Sequence, residues 1–273
     1  MTTLPGDLVA ELLARYPGAS AGPPDWAYPL PPSIPFVGRG YAASAPRIAV
    51  FASAENLAHY ECGRTPVPAF LAGEAAGNRH RLALASRDPG FFPFVHIGPV
   101  DDGSLLCAAL CALQVHVDGG PLPTSPIDLL ERLAVANVGK FSIRTDGAAN
   151  RDYAGRAALL VASMPFFRAD LDVLRPDILL LPRTMYRQRA VADVVRAAAP
   201  TALVLPIPQF NSRVVHTHLA KHAARADALR ERLRGTPLAA WTAQLRGYAT
   251  DTPYRFFVEI EDVVAAARAS RGA

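Results

Sequence analysis

Four short apolar runs divide the chain, and each one predicts a buried β-strand. Their residues are nearly continuously apolar instead of alternating, which is typical of strands that are covered on both faces. The runs are RIAVFA at 47–52, AVANVGKFSI at 134–143, DILLLP at 177–182 and TALVLPIP at 201–208. Parallel strands need a long crossover between them, and the segments that separate these runs are long enough to hold helices.

Apolar residues at helical spacing predict helices before, between and after the strands. The predicted helices cover 6–16, 104–115, 125–133, 165–174, 184–199, 212–235, 237–247 and 253–270. In the third of these, Ser125 can cap the helix, Pro126 suits its first turn and Asp128 completes a capping box. The alternation of strands and helices predicts an α/β fold, with three α/β/α layers and a central, mostly parallel, four-stranded sheet.

We expect one α/β domain over residues 1–273 with additions at both ends. The chain is 51% hydrophobic, and its length allows a substantial core. Residues 17–35 are rich in proline and can form neither helix nor central strand, but Trp26 and Tyr28 favour a strap laid across the core. Residues 236–273 are predicted to form a C-terminal helical extension.

Composition limits the compartment and the partners. The longest apolar runs are far shorter than the roughly 18 residues of a membrane helix, and no basic-then-apolar leader begins the chain, so we expect a cytoplasmic protein without membrane contact. The three cysteines do not form a disulfide framework. A net charge of +4 permits a polyanionic partner without requiring one, and the basic stretch 213–234 is also compatible with a solvated helix face.

Polar side chains follow all four predicted strands. In an open parallel sheet, ligands bind beyond the carboxyl ends of the strands, so these side chains are expected to line one crevice. They are Glu55 and Asn56 after the first strand, Asn137 and Lys140 after the second, Arg183 after the third, and Gln209, Asn211 and Arg213 after the fourth. Helix capping is an equally ordinary use for Glu55, Asn56 and Asn211, and Asn137 can also satisfy strand-end backbone.

Three short motifs within residues 34–220 resemble the uracil-DNA glycosylase superfamily. NVGK at 137–140 matches the N-V-x-K segment of the family, LRPDILLLP at 174–182 matches its L-x-P-apolar strand, and IPQFNS at 207–212 matches its H-P-S-type loop at Pro208 and Ser212. The resemblance implies a uracil-DNA glycosylase-like fold. It also implies that the amide of Asn137 reads the edge of an extruded base, and an amide can both donate and accept hydrogen bonds as a pyrimidine edge requires.

The resemblance implies hydrolysis of the N-glycosidic bond of a deaminated or damaged base in DNA, with uracil as the expected base. Glu55 or Asn56 occupies the place of the water-activating residue of the family. Ile207 stands where the family has a histidine that donates to the leaving base. The residues that could replace this donor are His216, His218, Gln209 and Asn211. The full candidate set is Glu55, Asn56 and His216 for catalysis, and Asn137, Lys140, Gln209, Asn211, Arg213 and His218 for substrate binding.

No cofactor or metal is expected, and the expected partner is single- or double-stranded DNA. The iron–sulfur members of the family need four cysteines, whereas this chain has three, and Phe141 stands where one of them would follow. His218 and His222 have a spacing that allows metal binding, but no third ligand is identifiable. Two other functions stay open. One is a catalytically inactive glycosylase-fold module that binds nucleic acid, and the other is an unrelated α/β enzyme acting on a nucleotide or small metabolite.

Overall fold

The structure is a computed structural model of the chain. It describes residues 5–16, 24–27, 32–33, 35–54, 103–116, 132–141, 143, 157–208, 217–243 and 252–272. The strands are β1 (Phe36–Val37), β2 (Ile48–Ala54), β3 (Leu133–Gly139), β4 (Ile178–Pro182) and β5 (Leu203–Ile207). The α-helices are α1 (Pro5–Arg15), α2 (Gly103–His116), α3 (Ala157–Leu160), α4 (Met164–Leu174), α5 (Arg183–Tyr186), α6 (Arg189–Ala198), α7 (Ala223–Leu233), α8 (Pro237–Thr242) and α9 (Thr252–Gly272).

The strands form one mixed sheet in the order β1-β3-β2-β4-β5. Neighbours among β2, β3, β4 and β5 are parallel, whereas β1 pairs antiparallel with β3, with Phe36 opposite Val135. The α/β class is therefore confirmed, and the four-stranded prediction is corrected by an antiparallel edge strand. That strand has only two residues, which is too short to produce a period in the sequence.

Alternate residues of each strand face two separate cores, which gives the molecule its three layers. In β2, Ile48 and Val50 pack in the core that includes residues of α2, α7, α8 and α9. Ala49 and Phe51 point the other way, into the core that includes residues of α1, α4 and α6. Coverage on both faces explains why the strands read as continuous apolar runs.

Two of the predicted helices are interrupted. The helix predicted over 184–199 is split, because Gln188 has an extended backbone before α6 begins at Arg189. In the helix predicted from residue 212, Thr217 and His218 are α-helical, a bend follows at Leu219, and a 3-10 turn over Ala220–His222 leads into α7 at Ala223. Neither interruption contains glycine or proline, so the sequence gives no stop signal there.

The boundaries of two strands also differ from the prediction. β3 begins at Leu133, which the sequence assigned to the end of a helix, and it ends at Gly139 instead of at residue 143. The rest of the predicted helix before it, residues 125–131, lies outside the described residues. β5 contains Pro206 and is the edge strand of the described sheet, a position that tolerates a residue without an N–H group.

Both chain-terminal segments contact the core where they are described. Trp26, in the proline-rich segment, packs edge-to-face on Phe141 with ring centroids 6.3 Å apart, and Ala27 forms a bridge with Ile143. The side chain of Phe256 in α9 is fully buried against the sheet. Among the described helices, none is both long and apolar enough to cross a membrane.

Candidate functional site

The carboxyl ends of β2, β3, β4 and β5 lie along one side of the sheet because these strands are parallel. We call this side the carboxyl edge. Asn137 lies near the end of β3 and is half-buried. Because Leu133 and Val135 face the core that contains α2 and α9, strand alternation places Asn137 on the same face.

The residues next to Asn137 on the neighbouring strand are small. Ala52 of β2 pairs directly with Asn137, and Ala54 pairs with Gly139 two positions further on. Neighbouring strands lie about 4.8 Å apart, so the end of β4, one strand beyond β2, is about 10 Å from the backbone of Asn137. Residues that follow β4 therefore share an edge with the Asn137 amide.

Three basic side chains converge on Glu259 of α9 at the β4–β5 part of this edge. Arg183 donates from Nη2 to Oε1 of Glu259 at 2.6 Å, and it lies 3.5 Å from the carbonyl oxygen of Pro206. Nε2 of His222 lies 2.7 Å from Oε2 of Glu259, and Nζ of Lys221 lies 3.1 Å from the same oxygen. We call Arg183, Lys221, His222 and Glu259 the Glu259 cluster.

The Glu259 cluster hides its carboxylate and exposes two of its cations. The Glu259 side chain is 3% exposed, whereas Arg183 is 38% and Lys221 is 60% exposed. Burial alone would raise the pKa of Glu259, but hydrogen bonds from His222, Arg183 and Lys221 outweigh it and hold the pKa below its ordinary value. The cluster therefore holds two exposed basic side chains around one carboxylate that is ionised at neutral pH.

A second ion pair fixes α7 against α9 beside this cluster. Nη1 of Arg225 donates to both carboxylate oxygens of Asp262, each at 2.8 Å. Oδ2 of Asp262 also lies 3.9 Å from Nδ1 of His222. The contact between the helices consequently holds the ring of His222 in position next to Glu259.

Sequence reasoning missed Glu259, although its pattern contains a signal. In α9 the buried residues Phe256 and Ile260 flank Glu259, which is itself only 2% exposed. A charge on the apolar face of a helix is seldom buried without a partner, so FFVEIED indicates a buried carboxylate in need of cations. Arg183 had been identified as a residue that follows a strand, but its partner had not.

Lys140 also follows a strand, but it belongs to a different environment. Its side chain is fully buried and forms an ion pair with Asp170 of α4. The hydroxyl of Tyr16 in α1 donates to Oδ1 of Asp170 at 2.7 Å. Burial raises the pKa of Asp170 to about 6, although the charge of Lys140 and the hydrogen bonds from Lys140 and Tyr16 act against it. The Lys140 ammonium therefore lies inside the protein rather than at a surface that a ligand reaches.

The other candidate residues divide into two groups. His218 is described and its side chain is exposed to solvent. The remaining candidates, which lie outside the described residues, are Glu55, Asn56, Gln209, Asn211, Arg213 and His216. No group of three histidine, cysteine, aspartate or glutamate side chains within the described segments has the arrangement of a metal site. His222, half of the i, i+4 histidine pair, contacts Glu259 instead.

A cavity of about 560 Å³ opens at the opposite side of the sheet, where the strands begin. Its lining includes Arg15, Arg47, Arg175, Asp172 and Asp177. Within it, the backbone N–H of Arg47 donates to Oδ2 of Asp177 at 2.8 Å, and Nε of Arg47 donates to the same oxygen at 3.2 Å. This pair clamps the starts of β2 and β4 together, which gives the cavity wall a structural role.

Comparison of the chain with protein-family models, with curated proteins and with solved structures finds no match.

Proposed function

We propose that the protein is DNA glycosylase-like and hydrolyses the N-glycosidic bond of a deaminated or damaged base in DNA, with uracil as the first substrate to test. One observation supports this most directly: Asn137 and the Glu259 cluster share the carboxyl edge of the parallel strands β2 to β5. An extruded nucleotide needs an amide or similar group for its base and cations for its phosphates.

The position of Asn137 suits recognition of a base. Its backbone belongs to a strand inside the sheet, so the amide is held by a rigid element. The uracil edge presents an N–H donor between two carbonyl acceptors. The side-chain oxygen of Asn137 would accept from that N–H, while its NH₂ group would donate to a neighbouring carbonyl oxygen.

The chemical step requires a water molecule and a base that can leave. Glu55 and Asn56 follow β2, the strand between Asn137 and Arg183, and either would orient and activate the water. The water oxygen bonds to the sugar C1′ and gives up one proton as the C–N bond breaks, and the base departs with the bonding electrons. An ionised Glu55 would also favour the positive charge that develops on the sugar. The products are the free base, after it takes up a proton, and an abasic site.

A module that binds nucleic acid without cleaving it is the second candidate. The observation that favours it is Ile207, whose side chain is fully buried and has no hydrogen-bond donor at the place where the family has its histidine. Loss of one such donor typically lowers the rate by a factor of about 10²–10³. Unless another side chain replaces the missing donor, the protein would still bind the base but would no longer release it from the sugar.

The test incubates the protein with single- and double-stranded oligonucleotides that carry uracil, hypoxanthine, xanthine or an alkylated base. Abasic sites are then detected by alkaline cleavage. We expect product with at least one of these bases, and loss of product in Asn137→Ala and Glu55→Gln. Gln114→Ala is the matched control, because it removes a half-exposed amide near the end of α2 that is outside the candidate set.

Three outcomes separate the candidates. Product that depends on Asn137 but not on Gln114 supports the glycosylase. Binding of every oligonucleotide without an abasic product from any of them supports the binding module. Absence of both binding and product contradicts the two candidates together.

A further inference from the structure

We infer that Arg183 and Lys221 form a binding site for a phosphodiester group of the DNA backbone. This inference deepens the proposed function and rests on DNA being the partner. It does not depend on which base is removed, nor on whether any base is removed at all.

The first argument is the way in which Glu259 holds its cations. A buried carboxylate needs compensating charge, but one cation would suffice for a single negative charge. Here Arg183 and Lys221 both contact Glu259, and His222 approaches it as well. The arrangement leaves an excess of positive charge on these side chains. Because the side chains are already oriented by Glu259, binding of a phosphate would cost less conformational entropy.

The second argument is the hydrogen-bonding capacity that is left over. Within the described residues, the hydrogen bonds of Arg183 come from a single nitrogen, Nη2, to Glu259 and Pro206. A guanidinium has five N–H donors, and phosphate is commonly bound by two of them side by side. Lys221 is 60% exposed, so its ammonium can contact Glu259 and a phosphate oxygen together.

The acidic residues nearby do not cancel this charge. Asp262 is held through both of its oxygens by Arg225, so its charge is already paired. Glu261 lies 4.0 Å from the same guanidinium and is about half exposed. Glu259, the other described carboxylate beside these cations, carries a single charge that offsets one of the two.

The test measures binding of an undamaged single-stranded oligonucleotide by fluorescence anisotropy across a series of salt concentrations. Each lost phosphate contact is expected to reduce the slope of log K against log salt by about 0.7 on a single strand. We expect Lys221→Gln and Arg183→Gln each to weaken binding and to show this reduction. Arg15→Gln is the control, since it removes an exposed arginine at the opposite side of the sheet, beside the cavity.

Thermal melting of every variant separates a phosphate contact from a structural ion pair. Lys221 is largely exposed, so Lys221→Gln should remain folded even if Arg183→Gln does not. A lower Tm with an unchanged salt slope in Lys221→Gln overturns the inference. An equal loss of slope in Arg15→Gln overturns it too, because binding would then be a property of the whole charged surface.

The undamaged oligonucleotide keeps this result apart from the proposed catalysis. If the salt slopes change as expected while no abasic product forms on any modified base, the phosphate site is supported and the glycosylase proposal is not. If the parent protein binds no oligonucleotide, both are wrong.

Discussion

Replacement of Lys140 by methionine is expected to destabilise the protein above neutral pH and to have much less effect in acid. Lys140 and Asp170 form a fully buried ion pair, and removal of Lys140 leaves a carboxylate buried without its cation. A protonated Asp170 needs no cation. The ionisation of Asp170 therefore decides how large the penalty is at each pH.

The pKa of Asp170 sets the direction of this effect. Burial raises this pKa to about 6 from 3.8, so the carboxyl group favours folding most below its ordinary pKa, and this contribution is lost as the pH rises through about 6. Lys140 lowers the pKa of Asp170, so this pKa should be higher in the variant. The free energy of unfolding of the variant should therefore keep falling up to a higher pH than that of the parent. Above pH 6, the difference in unfolding free energy between parent and variant should grow by up to about 1.4 kcal/mol per pH unit.

The expected magnitude at pH 8 is large enough to measure. Removal of one partner of a buried ion pair costs about 3–5 kcal/mol. For 273 residues the entropy of unfolding is about 0.6 kcal/mol per kelvin near 60 °C, so the Tm should fall by about 5–9 °C. Arg168→Met is the matched control on α4, the helix that contains Asp170, because its pair with Asp172 is exposed and should contribute less than about 1 kcal/mol.

The assay is urea unfolding at pH 5 and pH 8 for the parent, Lys140→Met and the double variant Lys140→Met/Asp170→Leu. Apolar residues often replace a buried pair without loss, so the double variant should regain most of the stability. A penalty of equal size at both pH values would contradict the argument. So would a fully stable Lys140→Met protein that no longer binds DNA, because the lysine would then act on the ligand.

Three further predictions concern single contacts. Glu259→Gln should lower the free energy of unfolding by about 2–3 kcal/mol at pH 7. Calorimetry should show that this difference shrinks as the pH falls through the lowered pKa of Glu259, because the parent protein then loses its ionised carboxylate as well. Asp177→Asn should lower the free energy of unfolding by less than about 1 kcal/mol, because the pair of Asp177 with Arg47 is partly exposed. Burial opposes the ionisation of Asp177, but the hydrogen bonds from Arg47 outweigh it and lower the pKa of Asp177. Urea titrations should therefore find the loss of stability at neutral pH and not in strong acid. Trp26→Ala should lower the free energy of unfolding by at least the contribution of its ring contact with Phe141, which is about 0.5–1.5 kcal/mol. An unchanged urea midpoint would show that this contact does not stabilise the protein.

The sequence predicted the parts of the fold that depend on burial. β2, β4 and β5 were predicted because both of their faces are covered, which leaves a continuous apolar run in each. The break between α5 and α6 was not predicted, because helical periodicity in the sequence continues through Gln188. Such a break depends on tertiary packing, which a local pattern does not record.

The sequence predicted at which edge of the sheet the candidate site lies, but not which partners its side chains contact. The rule for parallel sheets placed Asn137 and Arg183 at one edge, and both lie there. The same rule grouped Lys140 with them, whereas its side chain turns into the core towards Asp170, a partner 30 residues later in the sequence. Which direction a side chain takes after a strand ends depends on distant partners, and spacing in the sequence does not identify them.

The two borders of the sheet formed by the described strands have a consequence for the protein in a crowded solution. A long exposed strand offers unpaired N–H and C=O groups on which strands of other molecules can assemble into aggregates. On one border, Pro206 lies within β5 and supplies no N–H group for such pairing. On the other, β1 is only two residues long, too short to template an intermolecular partner. Replacement of Pro206 by valine would therefore be expected to increase self-association before it changed the fold.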